Sequence, residues 1–121
     1  MPAPIRILFD NAYARLPDQC YARVLPTPVA NPALIRFNHG LAAELGIELN
    51  GSTEAELAAV FAGNDIPAGA DPLAMAYSGH QFGHLNPQLG DGRAILLGDV
   101  VDIHDQRRDI QLKGSGRTPF S

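Results

Sequence analysis

The spacing of hydrophobic and polar positions changes period several times along this chain. Cys20 to Leu25 alternates apolar and polar side chains, as a strand with one buried face does, and Pro26-Thr27-Pro28 ends it. Ala33 to Phe37 is a second candidate strand. A helical period follows. Leu41, Ala42 and Leu45 share a face, Asn38 is placed to cap, and Gly46 stops the helix in a left-handed conformation. Gly40 in the first turn costs about 1 kcal/mol relative to alanine. Residues 53–62 are the clearest helix. Thr53-Glu54-Ala55-Glu56 has capping-box spacing, both glutamates suit the positive end of the helix dipole, and Leu57, Val60 and Phe61 make the buried stripe before Gly63.

Asn64 to Ala70 reads as a loop, and Asp71-Pro72 as the start of another helix carrying Leu73, Met75, Ala76 and Tyr77 and fading at Ser78-Gly79. Gly79 to Pro87 has the glycine spacing of a structured loop. Arg93 to Asp102 is a strong strand, Ile103 to Gln106 is about a hairpin turn in length, and Arg107 to Lys113 is the returning strand. Before all of this, residues 1–19 look like an arm, with Ile5, Ile7, Leu8 and Phe9 apolar enough to dock and Asp10-Asn11 placed to cap a short turn. The order is mixed α and β, an α+β chain with an antiparallel hairpin at its carboxyl-terminal end and short helices packed on it. No repeat or low-complexity segment interrupts it.

Composition narrows the class. At 121 residues and 45% hydrophobic the chain is one domain or a piece of one. No run approaches the ~18 apolar residues needed to cross a bilayer, so no membrane partner is expected. The start, Met-Pro-Ala-Pro-Ile-Arg, lacks the apolar stretch of a signal peptide, and the single cysteine, Cys20, excludes an internal disulfide. A cytoplasmic protein is the expectation. The net charge of −4 is uneven: residues 1–76 carry four arginines against eight carboxylates, while the last sixteen residues hold Arg107, Arg108, Lys113 and Arg117 against Asp109 alone. An acidic body with a basic end suits a small anion better than a nucleic acid, which needs a broader basic face. A solvated charged end explains the same charge count.

Candidate chemistry concentrates between Tyr77 and Ser121. Gly90 and Gly92 leave successive backbone N–H groups open to an anion, and Arg93 can fork two donors onto a phosphate. A G-x-G alone also marks any tight turn. Lys113, the only lysine, shares a strand face with Gln111, opposite Ile110 and Leu112. With a hairpin centred near residues 104–105 it lies across from about Leu96, within reach of a ligand held under the Gly90–Arg93 turn. A glycine-bearing loop, a strand, a hairpin and a strand bringing in lysine is how the protein-kinase amino-terminal lobe builds its phosphate site. A solvated strand-end lysine is the plainer alternative. Gly114-Ser115-Gly116 is no Walker A loop, because the lysine precedes the glycines and Pro119 blocks the helix. His80 and His84 lack the glutamate of H-E-x-x-H and read as structural histidines rather than a metal pair. His39 reads as a helix-start residue, His104 as a turn residue and Cys20 as a packed apolar one.

The runs Tyr77-Ser78-Gly79-His80-Gln81-Phe82-Gly83-His84, Pro87-Gln88-Leu89-Gly90-Asp91-Gly92-Arg93 and Asp109-Ile110-Gln111-Leu112-Lys113-Gly114-Ser115-Gly116-Arg117-Thr118-Pro119 closely resemble the amino-terminal part of the selenoprotein O family, pseudokinase-fold protein adenylyltransferases. Residues 31–76 resemble it more loosely. The resemblance implies the amino-terminal part of a protein-kinase-like fold, with residues 1–76 an extension with helices and 77–121 a glycine loop and nucleotide-binding hairpin. It implies that Gly90, Gly92, Arg93 and Lys113 hold the phosphates of ATP, with Mg2+, and that AMP passes to Ser, Thr or Tyr hydroxyls of proteins. The family's catalytic aspartate and metal ligands match nothing here, so no catalytic or metal-binding residue is assigned. They and the catalytic lobe are expected beyond residue 121, and the fragment alone is expected to be inactive. The competing expectation is a non-catalytic module that binds an anion or a partner protein.

Overall fold

A computed structural model describes residues 4–17, 20–81, 84–90, 94–114 and 116. Its regular elements are strand β1 (Tyr21–Arg23), helix α1 (His39–Glu44), helix α2 (Glu54–Phe61), and strands β2 (Leu73–Gln81), β3 (His84–Gly90), β4 (Ala94–Val101) and β5 (Arg107–Lys113). The strands lie in the order β1-β2-β4-β5, all antiparallel, and β3 pairs with β2 off that path. The α+β class and the carboxyl-terminal hairpin agree with the sequence pattern.

Both helices follow from their caps. The Asn38 side chain accepts from the Leu41 N–H at 2.9 Å, and Gly46 ends α1 at φ +75°. Thr53 and Glu56 form the reciprocal box, at 3.1 and 2.9 Å, and Gly63 follows α2 at φ +89°. Leu57 and Val60 of α2 pack with Ile5, Ile7 and Val100, with Phe61 and Ile110 at the margin. On α1 the buried residue is Ala42, and Leu41 is turned outward at 47% exposure.

Three expected elements are replaced. The helix expected after Asp71-Pro72 is the long strand β2. Leu73 pairs with Arg23 on one side and Leu96 on the other, so it belongs to a central strand. The Asp71 N–H donates to the Leu97 carbonyl and the Pro72 carbonyl accepts from Val24, so the supposed helix start is spent on the sheet. Tertiary pairing overrides a local start signal here. The loop expected over Gly79 to Pro87 is mostly the β2–β3 hairpin, whose register shifts between Tyr77 and Gly79. Pro87 and Gln88 face Ser78 at that bulge, where a residue without an N–H is tolerated. The strand expected over Ala33 to Phe37 is irregular. Leu34 and Phe37 anchor to the core three residues apart, which leaves Ile35 in solvent at 99% exposure. A period of three cannot be a strand's.

The amino-terminal arm docks as expected through Ile5, Ile7 and Phe9, but Leu8 points outward. Arg6 and Glu48 exchange backbone hydrogen bonds at 2.6 and 2.8 Å. Asp10-Asn11 does not cap the 3-10 turn at Tyr13–Arg15, which starts at Ala12 without a side-chain cap. On the other sheet face Tyr21, Leu73 and Leu96 form a second core under Tyr13, Cys20 and Met75. Cys20 is a partly buried packing residue there. Replacing Thr53 with alanine should lower unfolding free energy by about 1 kcal/mol through loss of the cap. Urea denaturation of Thr53→Ala, with an unshifted midpoint as the contrary result, checks this.

Candidate functional site

The β4–β5 hairpin carries Lys113 of the candidate site. Its turn is built on Asp102. One carboxylate oxygen accepts the His104 and Gln106 N–H groups at 2.8 and 2.9 Å, and the other accepts from Arg108 Nε at 3.1 Å. The Asp102 N–H donates to the Gln106 carbonyl, and Asp105 takes φ +59° to close the turn. A second tie crosses the hairpin diagonally. Arg107 lies opposite Val101 and reaches back along that face to Asp99, with Nη1 2.6 Å from both Asp99 Oδ1 and Asp10 Oδ2. Asp99 is 2% exposed, and its other oxygen accepts the Ala12 N–H at 2.9 Å.

These partners set the charge states. The Gln106 amide, then the Arg108 guanidinium and the His104 amide, hold the Asp102 carboxyl below its usual range, against the opposing effect of burial. Arg107, then Arg15, do the same to Asp10, and Asp10 with Asp99 raises Arg107. The sequence showed a basic carboxyl-terminal end, but Arg107 and Arg108 are consumed by internal carboxylates. Pattern reading missed Asp99, Asp102, Arg107 and Arg108. Asp99 in β4 and Asp102 just past its end, each diagonal to one of two adjacent arginines in β5, were the available signal.

Lys113 ends β5. It is exposed, and among the described residues no carboxylate pairs with it. Its neighbour Leu112 is buried, so the lysine stands on the other face. Its strand partner is Ala94, and Leu96 pairs instead with Gln111. The expected pairing with Leu96 is therefore two residues off. The turn centres on His104, and the register shift between Leu96 and Gly98 takes up one further residue of β4. The correction moves Lys113 toward the end of β4 that follows Arg93.

Gly90 is the last residue of β3 and pairs with Ala76. Gly92 and Arg93 lie outside the described residues. Backbone pairing thus places Gly90 at the end of β3 and Lys113 across from the first residue of β4, with residues 91–93 joining the two strands in sequence. His80 and His84 are placed only by backbone register, opposite Leu85 and Gln81. His39 opens α1, stacked edge-on to Phe37, and His104 lies in the hairpin turn. No group of three or more His, Cys, Asp or Glu among the described residues could hold a metal ion, and none of the described helices is long and apolar enough to cross a membrane. An apolar groove of about 350 Å³ lies apart from the lysine, between Leu34, Phe37, Leu41 and Leu45 and the β5 backbone near Ile110.

Because the Asp102 carboxyl is depressed in the folded state, its contribution is complete above the unfolded value of 3.8 and is lost as pH falls through the folded value. Thermal melts taken downward from about pH 6 should therefore show a loss that steepens below about pH 4, and Asp102→Asn should flatten it. An equally steep loss in the variant would assign the acid sensitivity elsewhere.

A model of the family described as protein adenylyltransferase SelO matches residues 4–121. The protein nucleotidyltransferase YdiU of Agrobacterium fabrum (strain C58) is 63% identical over 113 residues, 93% of this chain and 23% of the relative. That of Rhizobium meliloti (strain 1021) is 64% identical over the same shares. The Alkalilimnicola ehrlichii protein of the same name is 60% identical over 121 residues, 100% of this chain and 24% of the relative. The chain thus spans 23–24% of the length of these curated relatives.

Proposed function

Since the chain belongs to the protein adenylyltransferase SelO family, we propose that it is the ATP-holding part of an enzyme that transfers AMP from ATP to Ser, Thr or Tyr hydroxyls of proteins. Residues 77–121 form the glycine loop and nucleotide-binding hairpin of a kinase-like amino-terminal lobe, and residues 1–76 form the extension and helices that brace it. Gly90, Gly92, Arg93 and Lys113 bind the phosphates. The observation that carries this reading is the Ala94–Lys113 pairing, which sets the only lysine opposite the residue next to Arg93.

The chemistry asked of these residues is electrostatic. A substrate hydroxyl attacks the α-phosphorus, the bond to the β-phosphate oxygen breaks, and pyrophosphate leaves with AMP on the protein. An ammonium and a guanidinium beside the β- and γ-phosphates offset the charge that grows on the leaving group. An exposed lysine at a strand end that no described carboxylate claims fits a phosphate. Mg2+ would neutralise phosphate charge when bound, and its ligands, like the catalytic aspartate, come from outside the described residues.

In a full-length polypeptide carrying this sequence, Lys113→Ala should abolish labelled AMP incorporation from ATP. Retained incorporation would remove the role given to Lys113. Residues 1–121 alone should transfer no AMP under the same assay, and measurable transfer would mean that the missing length is dispensable. Titration separates this reading from an anion- or protein-binding module: preference for ATP with a divalent cation over inorganic phosphate supports nucleotide binding, and equal affinity supports the module.

A further inference from the structure

Between β1 and α1 the chain has no regular structure, yet Val24 to Val29 is held along its length. The Val24 N–H donates to the Pro72 carbonyl at 3.3 Å. At the other end, Val29 N–H donates to Asn64 Oδ1 at 2.7 Å while Asn64 Nδ2 donates to the Val29 carbonyl at 2.8 Å. This reciprocal pair ties the segment to the residue after Gly63. Between these ties, Pro26 is buried against the end of α2. A Cβ on Gly63 would stand 2.5 Å from Pro26 Cβ and 3.3 Å from Leu112 Cδ1, so Gly63, Pro26 and Leu112 meet at one point. Thr27 meets Gly116: a Cβ there would collide with Thr27 Oγ1 and lie 3.2 Å from the Thr27 backbone nitrogen.

The strap therefore bears on the chain on both sides of Lys113: before it through Gly63, against which both Pro26 and Leu112 close, and after it directly at Gly116. Strand pairing with Ala94 sets the register of Lys113, and the two glycine contacts bear on the backbone beside it; neither glycine admits a side chain. Gly116 also sits at φ +134°, where a side chain is strained.

We propose that the Pro26–Val29 strap, anchored by Asn64, positions Lys113 for phosphate, and that Asn64, Thr27 and Gly116 are positioning residues of the nucleotide site. This rests on the reading of Lys113 as a phosphate ligand. Asn64 fixes Val29, Pro26 closes on Gly63 beside Leu112, and Thr27 seats Gly116. The lysine side chain stays free while the backbone on either side of it is clamped.

The test is ATP affinity, with Mg2+ present, in a full-length polypeptide carrying this sequence, alongside its melting temperature. Gly116→Ala should weaken ATP binding about tenfold, the scale at which small displacements near a reacting group are felt. Thr27→Gly alone should weaken binding in the same direction, and adding it to Gly116→Ala should cost less than the two single losses combined, a coupling that independent sites would not give. Asn64→Ala should weaken binding in the same direction at a nearly unchanged melting temperature, and it decides the matter if Gly116→Ala does not fold. Parent affinity in both Gly116→Ala and Asn64→Ala, or losses in Gly116→Ala and Thr27→Gly that simply add, overturns the proposal when Lys113→Ala is weakened. Unchanged binding in Lys113→Ala overturns the phosphate reading, and the strap's role with it.

Discussion

Asp99 lies in the middle of strand β4 at 2% exposure, and a carboxylate there is tolerable only if its oxygens are answered. Arg107 answers one and the Ala12 amide the other, while the Asp99 carbonyl accepts from the Asp10 N–H. Two of those three partners belong to the amino-terminal arm. The buried charge thus dictates that a segment without regular structure crosses the hairpin at one place and in one register. Ile5, Ile7 and Phe9 then have a defined site to fill. Gly98 completes the crossing, because any Cβ there would strike Asn11 and Phe9.

That crossing explains why β4 is buried from Ile95 to Val100. One face packs on α2 and the arm, through Val100 with Leu57 and Val60. The other packs under the aromatic pair Tyr13 and Tyr21, whose hydroxyls donate to the Cys20 and Ala14 carbonyls. A strand covered on both faces tolerates little slippage. Its partner β5 inherits that register, and with it the position of Lys113. Remote packing thereby becomes a constraint on the candidate site.

The parts legible in the sequence were those set by neighbours within a few residues. The Thr53–Glu56 box, the Asn38 cap and the closing glycines are local devices, and the β4–β5 hairpin announces itself by an apolar run and an alternating run of similar length on either side of a short turn. Strand β2 was not legible. Leu73 to Gln81 contains no β-branched residue, and Asp71-Pro72 imitates a helix start; only its partners, β1, β3 and β4, make it a strand. The register of Lys113 failed for a related reason. A bulge at Leu96–Gly98 serves the arm's close approach, a contact between residues far apart in sequence. Of the four expected site residues, Gly90 and Lys113 are placed by strand pairing, and Gly92 and Arg93 lie outside the described residues.

The cations divide by task in a way that charge counting concealed. Arg15, Arg23, Arg107 and Arg108 all donate to carboxylates of the fold, and Arg23 does so with two nitrogens on the two oxygens of Asp71. A planar fork suits that work, because it fixes the geometry of both partners. Lysine is a compact charge on a flexible stem, poor at bracing strands and good at following a mobile anion. The one lysine is also the described cation at the end of β5 that no carboxylate claims. A basic end whose described arginines, Arg107 and Arg108, are spent internally offers an anion less than its net charge implies. Its capacity at the described residues comes down to a single ammonium, whose place along the hairpin is set by the register of β4.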